Sequence, residues 1–181
     1  MGKPKEPKPV KLFVSLIALE KDVFDQGTKD LQSAFGQTDT VSERFPFELT
    51  DYYTAEMGKP LFRHFITFER LIPIPVLPDI KRATNGLEEK YAALDGKRRM
   101  NIDPGYLCLE HVILATTKGY THRPYLRDGI YADLELIYRH QSFQPLEWTY
   151  PDYRQEGVIM LFNQFRKEYL EDLRGGKHHL C

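Results

Sequence analysis

The sequence has little cysteine, with Cys108 and Cys181 the two in 181 residues. Two thiols build no disulfide framework, and this usage suits a reducing compartment, so a cytoplasmic protein is expected. An excess of one charge is also lacking. Lys plus Arg is 25 against 26 for Asp plus Glu, a formal net charge of −1, which argues against a strongly basic nucleic-acid binder. No apolar run approaches the ~20 residues of a membrane span. Residues 1–9 are rich in Lys and Pro, and the apolar run after them is broken by Lys11 and followed by Glu20 and Lys21. With no small-residue cleavage site, this reads as a flexible tail entering a first strand rather than a signal peptide. The familiar chemical motifs are missing too. There is no GxxxxGK[ST] phosphate loop, no GxGxxG, no GxSxG elbow, no CxxC and no HExxH. His64 and Thr67 lie three apart, on opposite faces of a strand, so they do not form the two-apart His/hydroxyl pair of the two-histidine phosphoesterases.

The chain is nevertheless well supplied for a core. Hydrophobic residues make up 41% and aromatics 13%, with 11 Tyr, 11 Phe and one Trp, which excludes disorder and fibrous repeats. The length is that of one domain. We expect a tail over 1–9, a single α+β domain over 10–174 and a second flexible tail over 175–181. Residues 10–19 form a continuous apolar run, read as a buried strand. Asp22 is a candidate cap for a helix reaching Phe35, with Gly36 its stop and Gly27 a weakness within it. Residues 45–53 alternate, and Pro46 places them at a sheet edge, a candidate docking surface for a partner strand. Residues 61–72 are a further strand, and Pro73, Pro75 and Pro78 an extended linker. A helix over 79–94, a connection over 95–105, a strand over 106–117, a partner strand over 130–138 and a helix over 153–173 complete the chain. The order suggests a ferredoxin-like β-α-β-β-α-β core plus an extra strand and a C-terminal helix. The sheet is expected to be antiparallel or mixed, of about five strands, with helices mainly on one face.

Candidate site residues concentrate between Asn101 and Arg154. Asn101-Ile102-Asp103-Pro104-Gly105 reads as a shaped loop offering Asp103 as a base or metal ligand, or simply as a tight strand entry. Thr116, Thr117 and Lys118 end one strand, and His122 and Arg123 follow in the hairpin. Together they make a candidate site for a phosphate or carboxylate, with His122 as a second acid/base, or a solvated loop. Asp133 and Glu135 alternate outward and are either a metal-binding pair or the wet side of a half-buried sheet. Asp128-Gly129 is a turn before them. The segment from Glu147 to Arg154 interleaves Trp148, Tyr150 and Tyr153 with Pro and Asp. Trp148 and Asp152 are read as a ligand-stacking wall, or as a structural lid and a helix N-cap.

Six segments carry a resemblance: NIDPGYL at 101–107, LATTK at 114–118, HRPYLRDGIYA at 122–132, WTYPDYR at 148–154, DYYTAEMG at 51–58 and IKRATNGLE at 80–88. They resemble a bacterial family, domain of unknown function 4416, over almost the whole chain. The resemblance implies no established activity. Some family members carry a GTP-binding label, but neither a phosphate loop nor an NKxD motif is present here to support it.

From the residues we therefore expect a protein that binds a small anionic or phosphorylated, nucleotide-like ligand at the hairpin end. Asp103 and His122 are the acid/base candidates, Lys118, Arg123, Trp148 and Asp152 the ligand contacts, and Asp133 and Glu135 the metal ligands. The alternatives are a metal-assisted hydrolase or transferase on a phosphorylated substrate, and a protein-interaction module. The sequence names no cofactor and no oligomeric state.

Overall fold

The computed structural model describes residues 2–175. Cys181 and all but the first residue of the expected C-terminal tail lie outside them.

The first strand, β1 (Val10–Ala18), is buried at all nine positions. An isolated alternating strand cannot do this; β1 does because it lies mid-sheet with neighbours on both edges and helices on both faces. Helix α1 (Lys21–Phe35) follows. Its N-cap is Glu20, with Asp22 in the first turn rather than at the cap. Gly27, a weakness by propensity, is where the helix touches the sheet. A Cβ there would press on Met100 (2.8 Å from its sulfur) and on Leu16 at 3.3 Å. Two strands then line the edge, β2 (Thr38–Val41) and the two-residue β3 (Phe45–Pro46).

The long edge strand expected over 45–53 is not formed. Phe47 turns inward instead, and packs with Ile17, Met57 and Leu61. After one more ladder bond, from the Phe47 N–H to the Leu61 carbonyl at 2.9 Å, the chain leaves the sheet and makes the short helix α2 (Thr54–Met57). Only Phe45 and Pro46 of the edge expected there are strand.

Strand β4 (Phe62–Ile72) leads into a 3₁₀ turn (Ile74–Val76) and helix α3 (Leu77–Lys90). The prolines belong to these elements rather than to an extended linker, since Pro in the first turn of a helix forfeits no intrahelical bond. The apolar run expected as one strand is two. Strand β5 (Met100–Leu107) turns through Cys108, a buried free thiol, into β6 (His111–Thr116). Asn101-Ile102-Asp103-Pro104-Gly105 is thus strand, not loop.

A short β7 (Tyr125–Arg127) meets β8 (Ile130–Arg139) through Asp128-Gly129, both at positive φ, the conformation that a tight two-residue hairpin demands. Strand β9 (Ser142–Pro145), a 3₁₀ turn (Pro151–Arg154) and helix α4 (Glu156–Arg174) finish the described chain. Asp152 does not cap α4, whose N-cap is Gln155.

The nine strands form one sheet in the order β2-β4-β1-β5-β6-β8-β7, with β3 on β4 and β9 on β8. Every pairing is antiparallel. Helices α1 and α3 lie side by side, joined where Lys90 and Tyr91 donate to Asp30. Gly27 of α1 meets the Leu16 face of β1, whereas α4 covers the other: Phe162 packs edge-on against Phe13 and Phe65 at 5.0 and 5.2 Å. On that second face α4 covers only part of the sheet. What remains is the site.

Candidate functional site

Strands β5 and β6 pair only from Gly105 to Leu107, against Leu114 to Val112. Toward the start of β5 they part. Gly105 sits at the fork, where any Cβ would strike the Ile113 carbonyl and the Phe13 ring. The Ile102 N–H donates to Glu88 Oε1 (2.6 Å) and its carbonyl accepts from Lys81 Nζ (3.0 Å), so two α3 side chains replace the missing strand. Pro104, two residues on, presents its donor-less nitrogen to the same unpaired side and breaks no ladder bond.

A cavity of about 730 Å³ fills this fork, within the usual range for small-molecule sites. Asp103, Lys118, Asp133 and Asp152 all line it, together with Arg63 and Lys81. These residues come from six places in the sequence, 63 to 152. Four of the eight candidate residues therefore converge. His122, Arg123, Trp148 and Glu135 do not line the cavity, and stand behind its wall.

Asp133 is 1% exposed. His122 Nε2 lies 3.1 Å from its Oδ1 and Arg123 Nε 2.7 Å from its Oδ2. Those two cationic candidates hold a carboxylate rather than an open anion site. Burial pushes the Asp133 carboxyl up, with Arg123 and His122 pulling against it. Trp148 stacks on His122 (4.8 Å between ring centroids, 16° between planes) and its indole N–H donates to the Leu134 carbonyl at 2.8 Å. It packs on the imidazole from outside the cavity lining.

Glu135 is fully buried, not on a wet face. Its Oε2 accepts the Tyr150 N–H at 3.1 Å, and its Oε1 has no partner. Burial, then the Asp133 charge, push its carboxyl up to about 8, so it holds a proton at neutral pH. The expected metal pair is accordingly one paired carboxylate beside one neutral acid, and no group of three or more His, Cys, Asp or Glu able to hold a metal occurs among the described residues.

Asp103 contrasts with Glu135. Burial alone would raise its carboxyl, but the Lys81 charge and hydrogen bonds from Asn101 and Lys81 bring it below the ordinary range. Asn101 Nδ2 holds Oδ2 at 2.6 Å and Lys81 Nζ holds Oδ1 at 3.1 Å. Asp152 forms a buried ion pair with Arg63, whose guanidinium is stacked among Phe47 and Tyr153. Arg63 Nε has no hydrogen-bond partner.

Neither Arg63 nor Lys81 stands out in the sequence. Their signal is spatial: a cation only 6% exposed must meet a carboxylate, here 89 positions away for Arg63 and 22 for Lys81. At the mouth, Lys118 Nζ meets no carboxylate among the described residues. It donates to the Tyr52 hydroxyl at 2.6 Å and lies over that ring at 4.5 Å. Thr116 and Thr117 line the cavity beside it.

The molecule is thus an α+β protein whose nine-stranded antiparallel sheet forks around a cavity lined by both charged and aromatic side chains. The chain belongs to the family described as Domain of unknown function (DUF4416), whose model matches residues 8–169. No curated protein and no solved structure matches the chain. No helix among the described residues is long and apolar enough to cross a membrane.

Proposed function

We propose that the chain binds a small molecule bearing an anionic group, such as a phosphate, in the forked-sheet cavity. One observation carries the reading. Of the cations lining the cavity, Arg63 is matched to Asp152, Lys81 to Asp103, and Arg98 to Glu56 and Glu88. Lys118 faces a phenol. Its charge is not neutralised by a carboxylate among the described residues, and the Thr116 and Thr117 side chains put hydroxyl groups nearby. An ammonium with such neighbours favours an anionic group at the mouth. The anion contact thus rests on Lys118, with His122 and Arg123 acting through Asp133.

Titration calorimetry of the wild type and of Lys118→Ala with inorganic phosphate, pyrophosphate and nucleotides tests this. The variant should lose about tenfold or more in affinity, as expected for one charge-assisted hydrogen bond. Equal binding by the two proteins would remove the proposal.

A second reading, a hydrolase or transferase acting on the same ligand, is favoured by a separate observation. Asp103 on the cavity wall is held below the ordinary carboxylate range and Glu135, behind that wall, is pushed above it, and environments that drive two carboxyls apart in this way suit an acid and a base linked through the wall. Turnover of phosphate esters that is lost in both Asp103→Asn and Glu135→Gln would support it.

A further inference from the structure

We infer that the inner part of the cavity takes a polyhydroxylated ring, so that the ligand is a sugar phosphate, its phosphate at Lys118 and its hydroxyls on the Asp103–Lys81–Asn101 wall. The phosphate end rests on the anion reading above; the sugar end rests on different residues. Inside the mouth, each lining cation is already matched to a carboxylate. Such a wall has little net charge to attract an ion, yet it is dense in donors and acceptors. Neutral polar groups suit it best, because they gain hydrogen bonds without losing the hydration of a charge.

The kind of neutral group follows from how donors and acceptors alternate. The Asp103 carboxylate is flanked within 3.1 Å by the Lys81 ammonium and within 2.6 Å by the Asn101 amide. A hydroxyl both donates and accepts, so each one can give its proton to Asp103 and receive one from the neighbouring Lys81 or Asn101. Two adjacent hydroxyls on a ring would use both sides. Asn85 also lines the cavity and makes no hydrogen bond among the described residues, so its amide is a further unused donor and acceptor. Tyr52, Tyr53 and Phe47 give an aromatic flank for the ring's C–H face.

Titration calorimetry of the full chain with inorganic phosphate, glucose, ribose 5-phosphate, glucose 6-phosphate and adenosine monophosphate separates the two claims. A sugar phosphate should bind about tenfold or more tightly than inorganic phosphate, the worth of one hydrogen bond to a charged group. Asp103→Asn should abolish that gain and leave inorganic phosphate unchanged. Asn85→Ala breaks no internal bond, so it should fold normally and lose part of the gain, which keeps the test decisive if Asp103→Asn is unstable. Phosphate binding with no gain from either sugar overturns this inference and leaves the anion reading standing. So does a gain seen for adenosine monophosphate and not for ribose 5-phosphate, which would put a base where the sugar is placed. Binding of glucose that a phosphate group does not improve overturns the anion reading and leaves the sugar wall. No binding of any probe overturns both.

Discussion

Two regions of the sheet bury cations, and they do so differently. Near one end Lys11, 0% exposed, bonds to Asp39, to Asp172 at 2.5 Å and to the Phe68 carbonyl at 3.2 Å. Thr67 donates to the same Asp39. Two of these contacts are hydrogen bonds, to Asp39 and to the Phe68 carbonyl, the third is the ion pair with Asp172, and the cluster joins β2 to α4. At the fork, Arg63, Lys81 and Arg123 are also paired, but Arg63, which lines about 730 Å³ of open space, leaves its Nε without a hydrogen-bond partner, as does Glu135 its Oε1 behind the cavity wall. A satisfied buried charge is explained by the fold it holds together. An incompletely satisfied one next to a cavity points to something that binds there.

The comparison is sharpened most by Lys11→Met. It leaves Asp39 and Asp172 without their shared cation, and should cost about 3–5 kcal/mol of stability, read by urea unfolding. Phosphate affinity of the folded fraction should not change. A loss of affinity instead would mean the two regions are coupled.

Arg123→Ala comes next. A loop arginine at a ligand contact would bury little, and its removal would scarcely affect folding. Here Arg123 holds Asp133 at 2.7 Å in a nearly inaccessible position, with His122 as the remaining partner. Stability should fall by about 2–4 kcal/mol, somewhat less than for a carboxylate left wholly unpaired. A thermal unfolding scan that shifts by less than a degree would return Arg123 to the surface.

The third test uses pH. Glu135 has its carboxyl raised to about 8 in the folded protein against an ordinary value of 4.5. Between those values the folded state holds a proton that the unfolded state has released, so raising the pH favours unfolding. Stability should fall by about 1 kcal/mol per pH unit from roughly pH 5 to 8. Glu135→Gln, neutral throughout, should flatten that slope. If the slope persists in the variant, its source lies elsewhere, with Asp133 the first candidate.

Much of this contrast was legible in the residues and part was not. The burial of residues 10–18, the Asp128-Gly129 turn and the stripe of α4 follow from local pattern, since periodicity and turn chemistry act over a few positions. The clustering along the chain predicts that Asp103, Lys118, His122, Arg123 and Asp152 line one concavity; Asp103, Lys118 and Asp152 do, whereas His122 and Arg123 turn to Asp133. Asp103 was assigned to a loop because Asn, Asp, Pro and Gly compose turns; the fork lets them be strand, since β6 demands nothing of Pro104 there. The β8–β9 turn escaped notice because His140 and Gln141 adopt positive φ without the usual Asn or Gly. Arg63 and Lys81 escaped for a deeper reason. A charged residue in a strand or a helix looks solvent-facing until tertiary structure brings a carboxylate to it.

The smallest expected effect is the most discriminating. Lys118→Ala removes an exposed ammonium whose contacts are a neighbouring phenol and its ring. Exposed polar contacts of this kind contribute about 0–1 kcal/mol, so unfolding should move by no more than that. The side chain differs from the other cations lining the cavity in having no carboxylate to leave behind among the described residues, which is why its loss need not disturb the fold. If Lys118 serves the ligand, the variant combines near-normal stability with weakened phosphate binding. Lys11→Met should give the reverse, lower stability with binding retained. Two proteins that fail in opposite ways would assign one buried charge to architecture and one exposed charge to function. Should Lys118→Ala instead unfold as readily as Arg123→Ala, the Tyr52 contact would be a structural strap across the mouth, and the anion would have to be sought at Arg63, where a guanidinium nitrogen has no partner.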